Sequence, residues 1–143
     1  MLYAGTDKPL PRKSWVKESP DINVQSLIEY DEAIRQHFSK YEVQQIGSTS
    51  GCGCDFPHLM YQNGGWPLYE YPETDAEYEA TKRFNREGLV NLLRSSAEEV
   101  IELYGVWAGD FHEAPIIRED ISLNRILDSD FYFKEQGFLR VKL

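Results

Sequence analysis

The sequence predicts an α+β fold, a two-layer sandwich in which a mixed sheet of four to five strands carries helices mainly on one face. The first observation is a strand–helix–strand order in the middle of the chain, because a crossover helix places the two strands in parallel. The second is a pair of short apolar runs near the end of the chain, which predicts a C-terminal β-hairpin. A length of 143 residues suits one such domain.

Residues 1–25 have the pattern of an irregular N-terminal arm. Three prolines interrupt regular structure in this segment. Trp15, surrounded by basic residues, is the side chain that we expect to anchor the arm. The sequence therefore predicts an arm over 1–25 and a single α+β domain over 26–143.

A first helix is predicted from Ser26. Apolar side chains recur at intervals of three and four residues, which is typical of one helical face. Ser26 followed by Glu29 fits a capping box, and Asp31 offers a second N-cap if the residues before it are extended. The predicted apolar stripe consists of Leu27, Tyr30, Ile34, Phe38 and Tyr41.

The strand–helix–strand unit combines a strand at 41–46, a helix from Thr74 to about residue 96, and a strand at 99–107. Thr74 and Glu77 form a capping box at the start of the helix. The second strand is apolar on both faces, which is typical of a central strand. The crossover predicts that the two strands are parallel and either adjacent or one apart.

The last part of the chain predicts a helical turn followed by a hairpin. The helical turn covers 121–127, behind an acidic residue that can cap it. The hairpin strands cover 131–135 and 138–143, and Gln136-Gly137 forms the turn between them.

The charge of the chain excludes several classes of partner. Its 24 acidic and 15 basic residues give a formal charge of −9. A nucleic-acid binder needs a basic surface for phosphate, and a protein that lies on an anionic membrane needs one too. The first 16 residues lack the apolar core of a signal peptide, and the longest uncharged runs are too short to span a membrane, so we expect a cytoplasmic protein.

The charged residues avoid one part of the chain. Residues 43–69 contain a single formal charge, Asp55, together with five of the ten glycines and both cysteines. Such a long loop-like segment is unusual in a compact domain and is often functional. We therefore look for the site in this window.

Cys52 and Cys54 suggest thiol chemistry. Two cysteines do not make the disulfide framework of a small secreted protein. Gly53 allows the tight turn that a reversible disulfide between them would need. His58 lies four residues after Cys54 and could assist a thiolate. The other interpretation is two buried thiols in a glycine-rich turn.

The same cysteines could instead bind a metal. Two thiolates with His58 and a distant His112 or Asp110 would suit zinc. His112 follows the strand at 99–107, so parallel strands would bring it to the same edge of the sheet. The spacing between the two cysteines and His58 is not one of the common structural zinc patterns.

The leading hypothesis is a small, non-enzymatic binding protein without a cofactor, as a monomer or weak homodimer. An aromatic, Gly- and Pro-rich loop over 56–72 runs directly into the acidic start of the second predicted helix. Aromatic contact area rimmed by carboxylates suits a basic protein partner. The alternative is that the loop packs back on the domain and the acids cap the helix. The predicted binding residues are Trp66, Tyr69, Tyr71, Glu73, Asp75 and Glu77.

Overall fold

The computed structural model describes residues 1–53, 56, 58–59 and 76–143. Within them the chain folds as an α+β protein with a mixed sheet and few helices. One α-helix, α1, covers Ala76–Arg94, and two 3-10 helices cover Glu32–His37 and Leu123–Leu127. The strands described are β1 (Leu2–Thr6), β2 (Asn23–Ser26), β3 (Glu42–Gly47), β4 (His58–Leu59), β5 (Val100–Gly105), β6 (Ile117–Ser122), β7 (Phe133–Lys134) and β8 (Gly137–Lys142).

Six of these strands form one sheet in the order β2-β3-β1-β5-β8-β6. All neighbours are antiparallel except β6 and β8, which are parallel. Because β3 and β5 are both antiparallel to β1, they run parallel to each other with one strand between them. The predicted strand–helix–strand unit is thereby confirmed, and the sheet has six strands where four to five were predicted.

The N-terminal arm is the main correction. Residues 1–25 were predicted to be irregular, yet β1 lies at the centre of the sheet and all five of its residues are buried. A strand covered on both faces shows no alternation of apolar and polar residues, so its periodicity gives no signal. The ring of Phe38 packs directly on the backbone of Gly5, and a Cβ at this position would overlap the ring.

The first predicted helix is also wrong. Ser26 ends strand β2, and the helical part is only the 3-10 segment Glu32–His37. Asp31, which is buried, precedes that segment. Its carboxylate accepts hydrogen bonds from the backbone N–H of Ile28 (2.7 Å) and from the hydroxyl of Tyr3 (3.1 Å). These bonds hold the chain in a turn where a regular helix would have continued.

The predicted C-terminal hairpin is wrong as well. Strand β7 pairs in parallel with β4, whereas β8 lies between β5 and β6 in the large sheet. Gln136 joins β7 to β8 with a positive φ of 53°. Strand β6 was not predicted, because its sequence, Ile-Arg-Glu-Asp-Ile-Ser, is mostly polar.

Hydrophobic clusters cover both faces of the sheet. On one face the end of α1 packs through Leu89, Val90 and Leu93 on Leu2, Ala4 and other strand residues. On the other face the cluster includes Tyr3, Ile34, Val43, Tyr104, Val106, Phe111 and Phe138. The predicted helix is confirmed over 76–94. Its Phe84 side chain is 51% exposed.

Candidate functional site

The cysteine loop, residues 48–53, begins directly after β3. Strands β3 and β5 run parallel, so their carboxyl ends lie at one edge of the sheet, and the segment after β5 leaves from the same edge. In sheets with parallel strands, binding and catalytic residues collect at this edge. The cysteine loop therefore lies where a site is expected.

Backbone hydrogen bonds close the cysteine loop into a turn. The N–H of Ser48 donates to the carbonyl of Cys52 (2.5 Å), and the N–H of Gly51 donates to the carbonyl of Ser48 (2.9 Å). The hydroxyl of Ser48 donates to the Cys52 carbonyl as well (2.5 Å). Gly51 has a φ of +85°, and a Cβ there would lie 3.2 Å from the indole of Trp15. The turn therefore requires glycine at this position.

Two distant elements hold the cysteine loop in place. The indole N–H of Trp15 donates to the carbonyl of Thr49 (2.7 Å), so the arm is attached to the loop as expected of Trp15. From α1, the side chain of Asn85 accepts from the N–H of Thr49 (2.9 Å) and donates to its hydroxyl (3.0 Å). Asn85 also donates to the carbonyl of Thr81 (2.9 Å). The arm and the helix together fix the position of Thr49.

Cys52 is disulfide-bonded. Its sulfur lies 3.3 Å from the hydroxyl of Ser50, which in turn lies 2.9 Å from the hydroxyl of Ser48. Cys54 and the side chain of His58, the other predicted members of the thiol site, lie outside the described residues. A sulfur in a disulfide is not a thiolate, so the disulfide must first be reduced before Cys52 can bind metal.

No protein family, curated protein or solved structure matches the chain. None of the helices in the described ranges is long and apolar enough to cross a membrane.

A small cavity of about 180 Å³ lies beside the cysteine loop. Gly53, Phe56, Trp107 and Glu135 are among the residues that line it. The remaining lining is mostly apolar and comes from the ends of β1, β5 and β7. The cavity therefore has an apolar lining beside Gly53 of the cysteine loop.

The structure does not test the predicted zinc site as a whole. Asp110 and His112 are exposed in the turn after β5. Among the residues that the structure describes, no three His, Cys, Asp or Glu side chains are grouped so that they could hold a metal ion. With Cys54 and His58 outside that set, zinc binding stays a prediction.

The predicted binding surface stays a prediction too. Trp66, Tyr69, Tyr71, Glu73 and Asp75 lie outside the described residues, and so does the side chain of Glu77. The structure thus describes the end of α1 that packs on the sheet and leaves the acidic start of the predicted helix untested.

Sequence reasoning missed Ser48, Ser50 and Asn85. Asn85 is fully buried on α1, one helical turn before Leu89, which is also fully buried. The sequence does place Asn85 on the apolar face of the helix. A buried amide needs hydrogen-bond partners, so this position could have indicated a structural role for Asn85. The sequence alone does not identify those partners.

Proposed function

We propose that the chain is a thiol–disulfide exchange protein that alternates between a Cys52–Cys54 disulfide and the corresponding dithiol. The observation that carries the proposal is that Cys52 is disulfide-bonded on a loop held by Trp15 and Asn85. The co-reactant is a cysteine dithiol, such as a pair of cysteines on a partner protein.

The exchange takes two steps. A thiolate of the partner attacks one sulfur of the disulfide, the sulfur–sulfur bond breaks, and the released Cys thiolate takes up a proton. The second thiolate of the partner then attacks the mixed disulfide and releases the other cysteine of the chain. The partner becomes a disulfide, and two electrons and two protons pass to the chain.

The size of the ring argues for reactivity over stabilisation. A disulfide stabilises a fold mainly by restricting the unfolded chain, and the effect grows with the number of residues enclosed. By the same relation, a ring of three residues contributes about 1.6 kcal/mol, against about 3 kcal/mol for fifteen residues. The turn already has its own hydrogen bonds, so the disulfide adds little to its stability.

Ser50 has a role in this proposal. Its hydroxyl lies within hydrogen-bond distance of the Cys52 sulfur, so it can donate to the thiolate that reduction produces. A hydrogen bond to a charged acceptor is stronger than one to a neutral acceptor. Ser50 therefore stabilises the reduced, ionised form of Cys52.

The first test counts thiols in the purified protein. We expect none before reduction with dithiothreitol and two afterwards, with a mass increase of two hydrogens. In glutathione buffers of graded composition, the two forms should interconvert reversibly while the protein stays folded. Two thiols that stay reduced in oxidised glutathione would overturn the proposal. It would also be overturned if the disulfide of the protein exchanged no faster than the disulfide of the free peptide Cys-Gly-Cys.

The second test replaces Ser50 with alanine. In the reduced Ser50→Ala variant, the acid dissociation constant of the Cys52 thiol should fall about tenfold. A hydrogen bond to a charged group contributes about 1.5–3 kcal/mol, and about 1.4 kcal/mol corresponds to a factor of ten. The readout is the ultraviolet absorbance of the thiolate as a function of pH. Ser95→Ala, at an exposed serine, is the matched control and should leave the titration unchanged.

A further inference from the structure

We propose that the turn segment after β5, residues 107–116, forms with Tyr30 a docking surface for a lysine- and arginine-rich segment of a partner protein. This surface, the 107–116 surface, consists of residues other than those of 56–77, for which a basic partner was predicted from the sequence. It does not depend on the chemistry of the cysteine loop.

Large apolar side chains are exposed on the 107–116 surface. Tyr30 is 67% exposed, Trp107 56% and Ile116 59%. Tyr30 lies against the turn, since a Cβ at Gly109 would lie 3.7 Å from its hydroxyl. A cluster of exposed aromatic and aliphatic side chains is typical of a protein interaction site.

Trp107 and Ile116 both contact the β7–β8 connection. The N–H of Trp107 donates to the carboxylate of Glu135 (2.5 Å), and the N–H of Ile116 donates to the carbonyl of Gln136 (3.0 Å). These two bonds tie both ends of the segment to neighbouring residues and bring a carboxylate to the base of the exposed indole.

Three acidic side chains near Tyr104, those of Glu135, Glu113 and Asp110, contribute negative charge to this surface, and the Met1 ammonium interacts with Glu135. Burial raises the pKa of the Tyr104 hydroxyl, and the charges of Glu135, Glu113 and Asp110 raise it further. Arg118 opposes them, but its guanidinium lies over the ring of Phe138, 4.6 Å from the centroid. The segment 107–116 itself contains two acids and no lysine or arginine.

The segment is held in one conformation before any partner binds. Phe111 is buried, and its ring packs edge-on against Tyr3 (6.1 Å between centroids) and Tyr30 (5.1 Å). The hydroxyl of Tyr104 donates to the carbonyl of Glu113 (2.8 Å), and a ring nitrogen of His37 lies 3.0 Å from the carbonyl of Phe111. A preorganised surface loses little entropy on binding.

Charge and aromatic character together select the partner. Exposed indole and phenol rings bind guanidinium and ammonium groups through cation–π contacts, and the carboxylates add ion pairs. Nucleic acid would bring phosphates against carboxylates, and a second copy of the chain would bring carboxylates against carboxylates. A lysine- and arginine-rich segment satisfies both parts of the surface.

The test uses the full chain and a synthetic peptide of alternating arginine and glycine as the probe. Titration is followed by nuclear magnetic resonance of the ¹⁵N-labelled protein at low salt. We expect the backbone signals that move to lie in 107–116 and around Tyr30, and the binding to weaken as salt is added. Shifts spread evenly over the surface, or confined to other acidic positions, would overturn the proposal, as would self-association without peptide binding.

Two sets of variants localise the effect. Trp107→Ala should weaken peptide binding about tenfold, and Asp110→Asn with Glu113→Gln about three- to tenfold. Glu18→Gln with Glu99→Gln changes the net charge equally at exposed positions elsewhere and is the matched control. If the control pair weakened binding as much as the surface pair, the peptide would be responding to net charge alone and the proposed surface would be wrong.

Discussion

Replacement of Asn85 by alanine tests how the helix holds the cysteine loop. The Asn85 side chain is fully buried and makes three hydrogen bonds, two with Thr49 and one with the carbonyl of Thr81. Each such bond contributes a net of about 0.5–1.5 kcal/mol to the free energy of unfolding. The variant also leaves the N–H of Thr49 without its side-chain acceptor.

These contributions predict that Asn85→Ala lowers the free energy of unfolding by about 3 kcal/mol. This figure already includes a gain of about 0.5 kcal/mol for the better helix propensity of alanine. The measurement is urea unfolding followed by circular dichroism, with the midpoint and slope analysed together. Because Thr49 is attached to the loop of Cys52, the disulfide of this variant should also be reduced faster by dithiothreitol than that of the unchanged chain.

Asn91→Ala is the matched control, since Asn91 is an exposed asparagine of the same helix. It should change the free energy of unfolding by no more than about 0.5 kcal/mol. Equal losses in Asn85→Ala and Asn91→Ala would refute the reasoning, because the buried amide would then carry no more stability than a solvated one.

Further outcomes follow from close packing and from buried phenols. Gly88→Ala should destabilise the fold by about 1–3 kcal/mol, because the new Cβ would lie 2.6 Å from Cγ1 of the buried Ile22. This loss is expected even though alanine favours a helix over glycine by about 1 kcal/mol. In a double-mutant cycle, Ile22→Ala should remove most of the cost of Gly88→Ala, and additive losses would contradict this explanation. Burial first, and then Asp31, raise the pKa of Tyr3, so the folded state keeps this proton while the unfolded chain releases it above about pH 10. The free energy of unfolding should therefore fall as pH rises above about 10, by up to about 1.4 kcal/mol per pH unit for each such tyrosine. Tyr3→Phe should reduce this slope in urea unfolding series, and Tyr104, whose pKa is also raised, should account for part of what remains.

Elements with complete local signals were predictable. The helix α1 has an amphipathic pattern several turns long, and β3 and β5 are bounded by clear turn residues. The crossover helix between these two strands was enough to predict that they run parallel, which the structure confirms. The sequence did not show that β1 lies between β3 and β5. Nothing in the local pattern Leu-Tyr-Ala-Gly-Thr indicates that this segment fills that place in the sheet.

Elements whose pairing is distant in sequence were not predictable. The two runs near the C-terminus look like adjacent strands of a hairpin, yet Phe133 pairs with His58 and Leu139 pairs with Leu103. A short strand forms wherever a free edge accepts its backbone hydrogen bonds, so its partner depends on the rest of the sheet. The same reason explains why residues 27–31 form a turn, since the buried carboxylate of Asp31 binds the hydroxyl of Tyr3.

The sequence by itself determined the fold class, the main helix and the window in which to look for a site, because composition and periodicity are properties of neighbouring residues. It identified Cys52 and the edge of the sheet where its loop emerges. Only the tertiary structure decided that Trp15 and Asn85 hold this loop, and that Tyr30 packs against Phe111 in the turn after β5. These contacts join residues 34, 36 and 81 positions apart in the chain, and only a three-dimensional fold brings such residues into contact.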